Sequence, residues 1–106
     1  MTPNGKPYTS GTWVVKEGRQ DEFVARWTEF TKWSLANAPG AQHFVLIQEA
    51  ADPRRYLSFG EWSDGAAVDA WRSTPEFQQR LAACRELCED FRGTDHTLAA
   101  AVGPAR

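Results

Sequence analysis

Few side chains in this sequence have the type and spacing to do chemistry. Histidine occurs twice, at His43 and His96, and because an imidazole titrates near neutrality, either suits a base that removes a phenolic proton. Satisfaction by backbone or water is the plainer role for a histidine on a strand. Cysteine also occurs twice, at Cys84 and Cys88. Their i,i+4 spacing puts both on one face of a helix with no third or fourth metal ligand nearby, so they read as reduced, buried filler without a mutual disulfide. Asp64, Asp69, Glu76, Glu86 and Glu89 fall on helix exteriors by phase and read as solvated. The sequence has no glycine-rich phosphate loop, nucleophile elbow or matched acid pair, which argues against phosphoryl transfer and serine hydrolysis. Neither a metal nor a cofactor is expected. Five tryptophans, Trp13, Trp27, Trp33, Trp62 and Trp71, are the unusual feature. They supply wide, flat apolar walls.

Regular elements must carry these residues. After a polar leader over residues 1–7, Tyr8 to Val15 is rich in Thr, Trp and Val and reads as a strand that Gly18 ends. From Arg19 to Asn37, Phe23, Trp27 and Phe30 recur at steps of three and four, which predicts an amphipathic helix stopped by Pro39-Gly40. Gln42 to Glu49 is a second strand with the apolar core FVLI. A turn at Asp52-Pro53 hairpins it to a third strand, Tyr56 to Trp62. Ser63 caps a short helix, Asp64 to Ser73, and Thr74-Pro75 starts another. Phe77, Leu81, Cys84, Cys88 and Phe91 form one helical stripe, Gly93 breaks it, and Thr94 to Val102 is the last strand before a tail at 103–106.

The order β-α-β-β-α-β predicts a ferredoxin-like α+β sandwich over residues 8–102, with a four-stranded antiparallel sheet ordered 4-1-3-2 and the helices on one face. His43 and His96 then sit on opposite edges of the sheet. FVLI, WVV and LAAAV put apolar residues on both strand faces, so the bare face needs a cover, and the expectation is a homodimer whose two sheets close into an α+β barrel. Such an interface would make those edges neighbours and bring His43 of one subunit near His96 of the other. Apolar residues at 42%, charged residues at 25% and a net charge of −2 describe an ordinary globular chain without a basic cluster, so neither nucleic acid nor an anionic membrane is an expected partner. No apolar run approaches the roughly 20 residues of a membrane span, and the leader lacks a secretory pattern, so a soluble cytoplasmic protein is expected.

Three runs carry a family resemblance: PG-x(3)-F-x-L-x-Q-E from Pro39 to Glu49, F-x-E-W-S-D from Phe59 to Asp64, and A-x-x-x-A-W-R-S-T-P-E-F from Ala66 to Phe77. Together they resemble the antibiotic biosynthesis monooxygenase domain, a family of dimeric α+β barrels. The resemblance implies oxidation of an aromatic or quinol-type compound by dioxygen without metal or flavin, or one of the family's other activities. Trp62 matches the active-site tryptophan of the polyketide-oxidising members. Their nearby asparagine and tyrosine are replaced by Ser58 and Val68, and Ser58, on the same strand face as Trp62, offers one hydrogen bond. Haem degradation fits less well, because Trp71 matches that branch while Leu81 and Gly11 stand where it has a histidine and an asparagine.

Phe23, Trp27, Phe30, Trp71, Phe77 and Trp62 all point toward the gap between helices and sheet. Incompletely filled, that gap is an aromatic pocket for a small planar aromatic substrate, with Trp62 stacking, Ser58 hydrogen-bonding, and Arg72, His43 or His96 serving its anion. Completely filled, it is a core, and the protein is a non-catalytic ligand-binding or structural dimer.

Overall fold

The computed structural model describes residues 5–104. Its elements run β1 (Pro7–Val15), α1 (Gln20–Asn37), β2 (Ala41–Gln48), β3 (Arg55–Trp62), α2 (Gly65–Arg72), α3 (Pro75–Arg85) and β4 (Cys88–Thr97). The four strands form one sheet in the order β2-β3-β1-β4 with every neighbouring pair antiparallel. This is the expected ferredoxin-like arrangement.

Period-two alternation decides what each strand shows to the helices. On β1, Thr9, Gly11, Trp13 and Val15 are buried against them, and on β3, Tyr56, Ser58, Gly60 and Trp62. The registers Phe44↔Gly60 and Trp13↔Phe91 add Phe44 of β2 and Phe91 of β4 to the same face. From above, α1 buries Phe23, Trp27, Phe30, Thr31 and Ser34. Its two buried hydroxyls are satisfied within the helix: Thr31 donates to the Trp27 carbonyl at 3.0 Å and Ser34 to the Phe30 carbonyl at 2.8 Å. After α1 the chain reverses at Gly40, whose φ is 95°. A Cβ there would lie 2.5 Å from that of Ala67, so glycine answers both the conformation and the close approach of α2.

The ends of the helices differ in part from the expected ones. Asp64, not Ser63, caps α2, its carboxylate accepting from the Ala67 amide at 2.8 Å, while Thr74 caps α3 as expected, with Pro75 at its first turn. The larger correction is at the C-terminal end. Helix α3 stops at Arg85, and β4 begins at Cys88, so Cys88 and Phe91 belong to a strand and Cys84 and Cys88 share no helical face. Pairing with the whole of β1 sets that boundary, from Val15↔Cys88 to Pro7↔Thr97, with a register shift between Val14 and Val15. Gly93 lies mid-strand opposite Gly11, and Glu89 of β4 pairs with Arg54 rather than standing on a helix. Beyond Thr97, Leu98 bonds back to Lys6 (2.8 Å), and Ala99 to Val102 form no strand. Of the expected leader, Pro7 opens β1 and the Lys6 ammonium pairs with Glu61 at 2.7 Å. Residues 1–4 and 105–106 lie outside the described residues.

The opposite sheet face carries no helix. Its apolar part is Val45 and Ile47 of β2 with Leu57 and Phe59 of β3, of which Ile47 is 49% and Phe59 37% exposed. On the β4 side the same face is polar, with Ser10, Thr94 and His96.

Candidate functional site

Helices and sheet do not fill the space between them. A cavity of about 390 Å³ remains over the middle of β1 and β3, beneath α1, α2 and the start of α3. Its walls are aromatic: Trp27 and Phe30 from α1, Phe44 from β2, Trp71 from α2, Phe77 from α3 and Phe91 from β4. These rings hold one another in place. Trp71 lies nearly parallel to Phe30, with centroids 5.8 Å apart, and meets Phe77 edge-on at 4.5 Å. The floor is a patch of small residues, Thr9, Gly11, Ser58, Gly60 and Gly93, contributed by three adjacent strands. A planar, largely apolar molecule fits between such a floor and such a roof.

Beside Thr31 of α1 and Gln78 of α3, polarity enters at two places. At the rim, Arg72 ends α2 and reaches Asp95 on β4, donating from Nη1 to Oδ2 at 3.0 Å and from Nη2 to Oδ1 at 2.5 Å. That fork holds the Asp95 carboxyl below the usual carboxylate range and the Arg72 guanidinium above its own ordinary value, against partial burial. On the floor the hydroxyls are engaged by indoles. Trp13 Nε1 donates to Ser58 Oγ at 3.0 Å, and Trp62 Nε1 donates to Thr9 Oγ1 at 3.2 Å.

Of the residues singled out from the sequence, Ser58, Trp27, Phe30, Trp71, Arg72 and Phe77 line this cavity together. Trp62 and Phe23 do not. Trp62 is 0% exposed, closed off by Trp71 (4.6 Å between centroids) and by the edge-on ring of Phe44. Phe23 is also 0% exposed and packs 5.1 Å from both Trp13 and Tyr56, at the other end of the core. Neither histidine lines the cavity. His43 and His96 occupy the helix-free face at opposite edges of the sheet, and His96 Nε2 is 2.7 Å from Ser10 Oγ there. Leu81 and Gly11, where the haem-degrading branch would have a histidine and an asparagine, both line the cavity and offer neither group.

Several lining residues were not among the expected site residues, including Thr9, Phe44, Phe91, Gly60, Gly93 and Asp95. Alternation from Trp13 back to Thr9 and forward from Ser58 to Gly60 is the signal that finds the floor residues. Among the described residues no cluster of three or more His, Cys, Asp or Glu is placed to hold a metal ion. Burial pushes the Cys84 thiol up to about 12 and the Cys88 thiol up to about 11, so neither is an activated nucleophile. Among the described residues no helix is long and apolar enough to cross a membrane.

A ferredoxin-like α+β sandwich with an aromatic cavity between its layers is therefore the class of protein this chain represents. The family model for antibiotic biosynthesis monooxygenase matches residues 10–83, and the chain belongs to that family. No curated protein matches it. Among solved structures it is similar to a mutant of SnoaB, a cofactor-independent oxygenase from Streptomyces nogalater, at 19% identity over 94% of this chain and 99% of that one, with a TM-score of 0.85. It is also similar to a putative antibiotic biosynthesis monooxygenase from Nitrosomonas europaea (16% identity, 97% and 99% covered, TM-score 0.80). A third, from Chloroflexus aurantiacus, shares 20% identity over 92% and 96% of the two chains, with a TM-score of 0.73. At these identities the likeness is one of fold.

Proposed function

We propose that this protein is a cofactor-independent monooxygenase that oxidises a small planar aromatic or quinol-type substrate with dioxygen, working as a homodimer in the cytoplasm. The observation that carries this reading is the aromatic cavity of about 390 Å³, with one guanidinium at its rim. The free Cys84 and Cys88 thiols accord with a reducing compartment.

For an anthrone-type substrate the chemistry asks little of the protein. The substrate enters as its anion, and Arg72 lowers the cost of that charge at the cavity rim. The electron-rich ring passes one electron to dioxygen, and the carbon radical and superoxide combine to form a C–O bond. The resulting peroxide takes up a proton. Its O–O bond then breaks as the same carbon loses its remaining proton, giving a ketone and one water per dioxygen consumed. Trp27, Phe30, Trp71 and Phe77 hold the ring plane and exclude water, and Ser58 donates to a substrate oxygen. His43 and His96, on the other sheet face, take no step in this scheme.

A second reading has its own observation. Asp95, already bound to Arg72, is the cavity's carboxylate, and the lining includes no histidine or cysteine to act as a base. This favours a non-catalytic ligand-binding dimer. Oxygen-electrode measurements with an anthrone separate the two readings. The monooxygenase consumes one dioxygen per ketone formed, and Arg72→Gln slows it by about tenfold, the scale of one lost charge-assisted contact. Quenching of tryptophan fluorescence by the anthrone without oxygen uptake would instead establish the binding protein.

A further inference from the structure

Resting on the cavity reading above, we infer that the Thr9 hydroxyl is the hydrogen-bond donor that recognises an oxygen on the bound ring, and that Trp62 is the positioning residue that aims it. Trp62 has no surface in the cavity, so it cannot touch a ligand there. Its indole N–H is spent on Thr9 Oγ1 at 3.2 Å. A hydroxyl has one proton to give and two lone pairs to receive. With a lone pair of Thr9 occupied by Trp62, its proton remains, and among the described residues no acceptor takes it. Thr9 lines the cavity and is itself 8% exposed, so that unspent proton faces the one place where a ligand oxygen could meet it.

The floor is shaped to leave that hydroxyl room. Thr9 lies opposite Gly60 in the β1–β3 register, and a Cβ on Gly60 would stand 2.7 Å from Thr9 Oγ1 and 2.8 Å from the Phe44 ring. Any side chain there would displace the hydroxyl or the ring. Ser58, the other floor hydroxyl, differs. It receives from Trp13 at 3.0 Å, and its own proton has the Gly11 carbonyl at 3.5 Å as a weak internal acceptor. Thr9 is thus the less committed donor, and the cavity is built for a planar ring bearing a carbonyl or oxyanion over β1 rather than for a bare hydrocarbon.

Calorimetric titration with anthraquinone sulfonate and anthracene sulfonate, which share a ring footprint and differ in two carbonyl oxygens, tests this. The wild-type protein is expected to prefer the quinone. Thr9→Val should weaken quinone binding by about fivefold, one neutral hydrogen bond, and leave the anthracene within about twofold. Thr9→Ser should keep the wild-type preference. Trp62→Phe, which leaves no indole N–H stranded and guards against a misfolded Thr9→Val, should shift the preference in the same direction as Thr9→Val. A purely packing role for Trp62 would weaken both ligands alike. If both sulfonates bind and Thr9→Val and Trp62→Phe leave their ratio unchanged, the inference is wrong while the cavity reading stands. If neither binds the wild type, the cavity reading fails and this inference with it.

Discussion

Trp71 Nε1 donates a 2.9 Å hydrogen bond to Ser34 Oγ, and that bond ties α2 to α1 across the roof of the cavity. Both residues are buried, and Ser34 passes its own proton to the Phe30 carbonyl, so the hydroxyl both donates and accepts. The partner matters because Trp71 is the ring on which Phe30, Phe77 and Trp62 all pack. Ser34→Ala strands a buried N–H and should destabilise the protein by about 1–3 kcal/mol. Trp71→Phe in the Ser34→Ala background should cost less than it does alone, because the stranded donor is then gone. Urea unfolding of the four proteins of this cycle measures the coupling.

Arg72 and Asp95 make the same kind of bond between elements, at the rim and in contact with solvent. The Asp95 carboxyl sits below its ordinary value because Arg72 donates to it, so it binds its proton more weakly folded than unfolded. A depressed carboxyl contributes stability above its unfolded pKa of about 4 and loses it as pH falls through the lower folded value. The side chains are 37% and 65% exposed, which limits the contribution to at most about 1 kcal/mol. Asp95→Asn should therefore be slightly less stable than wild type at pH 7 and equal to it near pH 2, by urea midpoint. At pH 7 it should also bind anthracene sulfonate more tightly, because the guanidinium no longer shares its charge with a carboxylate.

Much of this was legible in the residues. Alternation on β1 and β3 and the helical spacing of Phe23, Trp27 and Phe30 specify the layers, and a βαββαβ order leaves few topologies to choose among. What misled was phase. Phe77, Leu81 and Cys84 continue arithmetically to Cys88 and Phe91, and no glycine or proline marks the end of α3 at Arg85. Only the free edge of β1, a partner far away in sequence, turns Cys88 to Thr97 into a strand. The site was legible as a set of rings but not as a surface. Trp62 and Trp71 have the same chemistry, and only packing decides that one is sealed while the other lines the cavity. Alternation places Thr9 on the floor, but nothing marks it as a donor until its neighbour Trp62 is seen to bond it.

Cys84 and Cys88 yield a prediction with the opposite pH sign. Burial raises both thiols, to about 12 and about 11, so each is neutral in the folded protein well above the pH at which it ionises in the unfolded chain. A raised acid contributes stability that is complete below the unfolded pKa of about 8.5 and lost as pH rises toward the folded value. The urea midpoint should fall between pH 9 and pH 11, and Cys84→Ala should flatten that fall. A thiol reagent at pH 8 should label neither cysteine in the native state and both after denaturation.

Ile47 tests the proposed dimer without touching the cavity. It stands on the helix-free face with Val45, Leu57 and Phe59, and at 49% exposure it is the barest of them in a single chain. A flat apolar patch on β2 and β3 beside an unpaired β2 edge is costly in water, and a second sheet laid against it removes both the patch and the edge. The β4 side of the face, with Ser10, Thr94 and His96, supplies the polar rim of such an interface. Ile47→Asp places a charge in the apolar part, where the dimer could bury it only unpaired and at a cost of several kcal/mol. In sedimentation at low micromolar concentration the wild type should run at twice 11.9 kDa and Ile47→Asp at 11.9 kDa. Ile47 does not line the cavity, so the monomeric variant should still bind anthraquinone sulfonate. A wild type that sediments as a monomer would remove the dimer from the proposal and leave the cavity untouched.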